Sequence, residues 1–388
     1  MKPVKRAMRN TRWTMRPIGF AVVLSLAIVG CSSGSKPVPP APLVDIKSPL
    51  SIQVVWRVKV GDARRTFLQP AVEQNAIYAA DSEGDLVRID PASGKEVWRV
   101  RTPAPLGAGV GSDGFVVAVA GQRGEVFAYS AEGKLAWQAL VPSDVVTPPL
   151  VGHGLVVVRS TDQGVSAFDA DSGRRKWIFK RQTPPLALRA PTELAFAGDS
   201  VIAGFPGGRL VAIALTNGAS RWDSAVSEPK GATEVERLAD VLGPIGLRDN
   251  QVCAASYQGR IACFDLANGD QQWAREMPAG AGVVIGGEQL LGVDSASTVE
   301  AFARSSGSVQ WTSKLLAHRG VSSPGFRDRW VAVGDQYGYV HFLAASDGKL
   351  VGRVALDGSP IVAPPENITG GIVVQTQRGS LALLMPQG

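Results

Sequence analysis

Between residues 80 and 384, one pattern of hydrophobic and polar positions occurs eight times: an apolar run, a turn with Gly, a second apolar run, a Ser-Gly or Asn-Gly turn, then Trp. The first copy reads Gly84-Asp-Leu86-Val-Arg-Ile89-Asp90, then Ser93-Gly94 and Trp98. A later one reads Gly259-Arg-Ile261-Ala-Cys263-Phe264-Asp265, then Trp273. Apolar runs this short, punctuated by turn residues, predict strands joined by hairpins. A period near 40 residues predicts that each unit is one blade of a propeller, because a four-stranded blade takes about 40–45 residues. The steps from Trp56 through Trp98, Trp137, Trp177, Trp222, Trp273 and Trp311 to Gly352 are 42, 39, 40, 45, 51, 38 and 41 residues. One Trp per unit is what stacking of like units requires, so these seven are read as blade-packing residues rather than as a binding surface.

The pattern breaks at the two ends. The seventh copy has Gly352 in the Trp position, and the eighth, Gly379-Ser-Leu381-Ala382-Leu383, runs into the C-terminus. At the other end, Ile52-Gln-Val-Val-Trp56-Arg-Val-Lys-Val60 stands ahead of the first unit with no blade of its own. Closure accounts for both: the first strand becomes the outer strand of the last blade, residues 54–60 lying beside 381–384, so that no long edge is left open. The fold expected for residues 51–388 is therefore all-β, an eight-bladed β-propeller of four-stranded antiparallel blades, its ring closed by the N-terminal strand.

Residues 1–30 follow another pattern. Six bases, Lys2, Lys5, Arg6, Arg9, Arg12 and Arg16, precede an apolar run from Ile18 to Val29, the layout of a secretory signal peptide. Leu26-Ala-Ile28-Val29-Gly30-Cys31 reads as a lipobox, which makes Cys31 the acylated N-terminus of the mature chain. Ser32 follows, not the Asp that commonly retains bacterial lipoproteins at the inner membrane; by that sorting pattern the expected location is the periplasmic face of the outer membrane. Residues 31–50, rich in Ser, Pro and Ala, read as the lipidated Cys and a flexible tether.

Removing the signal changes the charge. The whole chain has 40 Lys and Arg against 34 Asp and Glu, and since residues 1–30 hold six of the bases and none of the acids, the remainder is 34 against 34. A neutral body lacks the basic footprint of a nucleic-acid-binding protein. Besides Cys31 there are only Cys253 and Cys263, on successive predicted strands around the Tyr257-Gln-Gly259-Arg260 hairpin. They are offset by one residue from direct opposition about that hairpin, and two readings stay open: a cross-strand disulfide, or two buried thiols.

Catalytic signatures are absent from the sequence: no His-Glu-x-x-His, Cys-x-x-Cys, P-loop, dinucleotide fingerprint or nucleophile elbow. His153, His318 and His341 fall in three different repeats and are read as surface or strand-filling positions, not as a metal site. Asp90, Asp169 and Asp265 recur at strand ends, where carboxylates accept local backbone N–H groups. Neither cofactor nor metal is expected.

The repeats resemble those of the pyrroloquinoline-quinone-dependent alcohol dehydrogenases, which are eight-bladed, but the chain has no adjacent Cys pair to match theirs. It is more similar to the BamB family, lipoproteins of the bacterial outer-membrane β-barrel assembly machine, over nearly its whole length: lipobox, tether, eight repeats and two irregular insertions. The first insertion is Pro184-Pro185-Leu186-Ala187-Leu188-Arg189; the second is Gly231-Ala-Thr-Glu234-Val-Glu236-Arg237-Leu238-Ala-Asp240-Val241. The resemblance implies a non-enzymatic scaffold that binds a periplasmic POTRA domain of BamA alongside the other subunits, supports folding and insertion of nascent outer membrane proteins, and carries its partner contacts on Leu186, Leu188, Arg189 and Asp240. A second acidic position of the family falls on Leu242 here, which implies a more apolar contact. Independently, apolar anchors bordered by charge are what a protein interface needs. The competing functions are a periplasmic quinoprotein-like enzyme and a carbohydrate-binding propeller.

Overall fold

In a computed structural model that describes residues 38–47, 49–64, 66–182 and 184–387, the apolar runs are strands and contain no α-helix among them. The lipobox and Cys31 lie outside the described residues. The strands form eight four-stranded antiparallel sheets. In seven of them the four strands follow chain order from the inside outward, as in blade 1: Ala71–Glu73, Ala76–Ala80, Asp85–Ile89 and Glu96–Arg101. Each innermost strand lies beside that of the next blade, and Glu366–Ile368 of blade 8 returns beside Ala71–Glu73 of blade 1, closing the ring.

Closure uses both ends of the chain. Ser51–Lys59 pairs antiparallel with Ser380–Gln387, with Val54 opposite Leu384, Trp56 opposite Leu383 and Val58 opposite Leu381.

Each blade is apolar on both faces because the core lies between blades rather than inside one. On Val116–Ala120 of blade 2, Val117 and Val119 pack toward blade 1 while Ala118 and Ala120 pack toward blade 3. Alternate side chains thus enter two different interblade layers, which explains why the middle strands read as unbroken apolar runs.

The Trp series locks the layers together. Trp137 Nε1 donates to Ala170 O at 2.7 Å, and Trp177 donates to Leu215 O at 2.7 Å; Trp56, Trp98, Trp222, Trp273 and Trp311 likewise donate to Pro91, Ala131, Leu266, Arg304 and Ala345 carbonyls one blade ahead. Each indole covers the outer hairpin turn of that next blade, and Gly is required beneath it. At Gly173, φ is +67° and a Cβ would fall 2.6 Å from the Trp137 ring.

This rule explains Gly352. The turn that a Trp in blade 7 would cover does not exist, because the outer two strands of blade 8 come from opposite ends of the chain. Leu50 and Ile52 fill the space instead, a Cβ on Gly352 falling 2.7 Å from Ile52 Cδ1.

Part of the segment expected to be a free tether is held by the ring. Ala41 N donates to Ala317 O at 2.8 Å, and Arg319 Nη1 donates to Ala41 O at 3.0 Å. Arg319 is itself buried and paired with Asp335, whose carboxylate also contacts His341 Nε2 at 3.0 Å. The boundary drawn at residue 51 therefore moves toward residue 39, because a buried guanidinium with a spare donor takes the carbonyl within reach.

Candidate functional site

The two insertions flank blade 4. Its inner strand, Leu194–Ala197, follows the first, and its outer strand, Ser220–Ala225, precedes the second. In a four-stranded antiparallel blade the outer strand ends where the next inner strand begins, so both outer-to-inner crossings emerge on the same end of the ring. Their inner ends are stitched together: Gly243 N donates to Pro191 O at 3.1 Å, Glu193 N to Gly243 O at 3.1 Å, and Thr192 Oγ1 to Val241 O at 2.8 Å.

Asp240 ties the first insertion to the second. Its Oδ2 accepts from Leu188 N at 2.6 Å and its Oδ1 from Gly207 N at 3.2 Å. Burial raises the pKa of this carboxyl, an effect opposed by those two backbone donors and by the nearby Arg159 charge. Asp240 is 4% exposed, so it acts inward: it shapes the loop that presents Leu186, Leu188 and Arg189. Leu186 is 40% exposed, Leu188 half-buried, and Arg189 exposed while ion-paired with Asp144.

Leu242 does not join this surface. It is 7% exposed and borders the central channel, so the expectation that it makes docking more apolar is corrected: as the second position of strand Val241–Arg248, it turns toward the channel. In the second insertion, Glu236 Oε2 accepts from Ala232 N and Thr233 N at 2.8 and 3.0 Å while Thr233 Oγ1 accepts from Glu236 N at 3.2 Å, a reciprocal cap that leaves Val235 61% exposed.

Sequence reasoning missed Arg159 and Gln163, which lie under the first loop. Arg159 ends the strand Leu155–Arg159 and is buried, and its Nη2 donates to Gln163 Oε1 at 2.6 Å. A charge closing an otherwise apolar run was the signal available. Elsewhere, Cys253 and Cys263 are direct register partners with Cα atoms 4.1 Å apart, joined as a disulfide. The one-residue offset read from the sequence is thereby corrected; the turn between them is tighter than a symmetric count implied.

A cavity of about 270 Å³ lies in the central channel. Glu193 of blade 4 lines it, and Glu366 of blade 8 is near enough for its charge to act on Glu193, with Gln69 Nε2 donating to Glu366 Oε1 at 2.8 Å. Both carboxyls keep some accessible surface, yet protein crowds them. Desolvation, then the Glu366 charge, pushes Glu193 up to about 8, and desolvation pushes Glu366 up to about 7. Among the described residues no group of three or more His, Cys, Asp or Glu is arranged to hold a metal ion.

Comparison with known proteins places this geometry. A family model described as outer membrane protein assembly factor BamB matches residues 49–106, 82–313 and 295–384. The outer membrane protein assembly factor BamB of Bordetella pertussis is 41% identical over 383 residues, covering 97% of this chain and 99% of that protein. The crystal structure of BamB from Moraxella catarrhalis superposes with a TM-score of 0.79 at 24% identity, covering 86% of this chain and all of that one. A quinohemoprotein alcohol dehydrogenase from Comamonas testosteroni shares the fold, with a TM-score of 0.67 at 12% identity over 87% of this chain and 78% of its own.

Proposed function

Because the chain belongs to the BamB family of outer membrane protein assembly factors, we propose that it acts as a lipid-anchored scaffold that docks on the periplasmic POTRA region of BamA. The observation that carries this reading is the pairing of the two insertions across blade 4, in which Asp240 holds the Leu188 backbone and leaves Leu186 and Arg189 outermost. Leu side chains supply the apolar area to be buried on docking; Arg189 supplies a planar fork that can exchange Asp144 for a partner's acceptor. The mechanism is positional. Acylated Cys31 confines the ring to the membrane surface, and docking orients the barrel-forming subunit toward nascent outer membrane proteins.

The test is the affinity of the purified protein for the isolated periplasmic region of BamA, measured by titration calorimetry. Replacing Leu186, Leu188 and Arg189 together with Ala is expected to weaken binding by more than the roughly 5- to 150-fold typical of losing one anchor, with an unchanged β-sheet spectrum. Wild-type affinity in that variant would overturn the docking surface.

A further inference from the structure

Beneath the docking loop, one buried guanidinium has no carboxylate at ion-pair distance among the described residues, the Asp240 charge acting on it only from farther off. Arg159 is 8% exposed; its Nη2 is used by Gln163, its guanidinium sits 5.5 Å from the Phe205 ring centroid, and its Nε has no partner. No carboxylate among the described residues lies within 4.0 Å of it. The neighbouring charges are already engaged: Asp240 accepts the Leu188 and Gly207 N–H groups, and Asp144 is paired with Arg189. Burial lowers the Arg159 pKa to about 10, so it stays charged at neutral pH.

Arg159 lines a pocket of about 160 Å³ whose walls include Thr147, Thr161, Gln163, Leu188 and Arg189. Its lining combines the threonines and Gln163 with residues of the proposed docking loop. A buried guanidinium without a carboxylate is costly, and a carboxylate is the group its fork fits best.

We infer that this pocket receives a carboxylate, the Asp or Glu side chain of the protein that docks on the 186–189 loop. The inference rests on the docking reading above. A side chain is favoured over a free anion because Arg159, Arg189, Asp144 and Asp240 together carry no net charge. A dissolved anion gains little there, whereas one held in place by the surrounding interface pays no separate cost of association.

The experiment measures binding of the same periplasmic region to Arg159→Met, Arg159→Lys and the 186/188/189 triple variant, with melting curves for each. Arg159→Met is expected to weaken binding about 10- to 100-fold; Arg159→Lys, which keeps the charge that favours the buried Asp240 carboxylate, recovers part of the affinity and melts like wild type. Acid-to-amide substitutions on the partner then identify one whose loss is not additive with Arg159→Met. If Arg159→Met binds normally while the triple variant does not, the pocket is refuted and the docking surface stands. If the triple variant binds normally, both fall. A lower melting temperature shared by Met and Lys variants would make Arg159 a folding element and refute the inference, as would additivity with every acid-to-amide change.

Discussion

At the scale of single residues, the proposed docking surface depends on one carboxylate that never reaches it. Asp240 accepts two backbone N–H groups in a buried setting, and removing the acceptor strands both donors. Asp240→Ala is therefore expected to lower stability by about 1–3 kcal/mol in denaturant unfolding and to weaken partner binding indirectly. Asp240→Asn, which keeps one oxygen acceptor, should recover part of both losses. Equal behaviour of the two variants would show that the carboxylate oxygens do not organise the loop. Leu186 is the contrast: its exposure predicts that truncation hardly changes the melt while it lowers affinity. The family resemblance named Leu186, Leu188, Arg189 and Asp240 together, but that Asp240 turns inward was not legible, because burial of a carboxylate depends on which backbone groups another blade brings to it.

At the scale of elements, the repeat is a Trp placed on the next blade's Gly turn. The pairing was half legible: the Trp period is a sequence pattern, whereas the indole's target lies about 31–44 residues away and one blade over. Gly352 is a test of this account. Restoring the repeat with Gly352→Trp should destabilise the protein, because Ile52 and Leu50 already occupy the space and no turn awaits the indole. Overpacking of this kind costs about 1–3 kcal/mol, and the measurement is the thermal midpoint. An unchanged or raised midpoint would mean that the closing strand tolerates the indole and that Gly352 is not set by closure. The hairpin Asp residues behave as read from the sequence: Asp90 Oδ2 accepts from Ser93 N at 3.0 Å and Asp169 Oδ1 from Ser172 N at 3.0 Å.

At the scale of the whole molecule, closure brings blades 4 and 8 across one channel, and with them Glu193 and Glu366. Both folded-state pKa values, about 8 and about 7, lie above the usual 4.5. A carboxyl whose pKa is raised by folding contributes stability that is fully present below 4.5 and is lost as pH rises through the folded value. Stability is therefore expected to fall between pH 4.5 and about 8 from this pair. Glu193→Gln should flatten that decline in unfolding curves taken across the range, since one of the two raised carboxyls is removed and the Glu366 shift, set by desolvation, remains. A decline of the same steepness in the variant would place its origin elsewhere.

By itself the sequence determined the all-β class, the number of blades, the closing strand and the positions of the packing Trp residues. These are local and periodic properties: strand-length apolar runs, turn residues at fixed offsets and a period that only a ring of like units satisfies. Tertiary structure alone decided what meets across distance. It set Asp240 under Leu188, 52 residues away, paired Cys253 with Cys263 in direct register, buried Arg159 without a carboxylate at ion-pair distance, and brought the Glu366 charge near enough to act on Glu193. The physical reason is that desolvation and hydrogen-bond satisfaction belong to the packed neighbourhood of a group, and in a ring that neighbourhood is assembled from blades far apart in the chain.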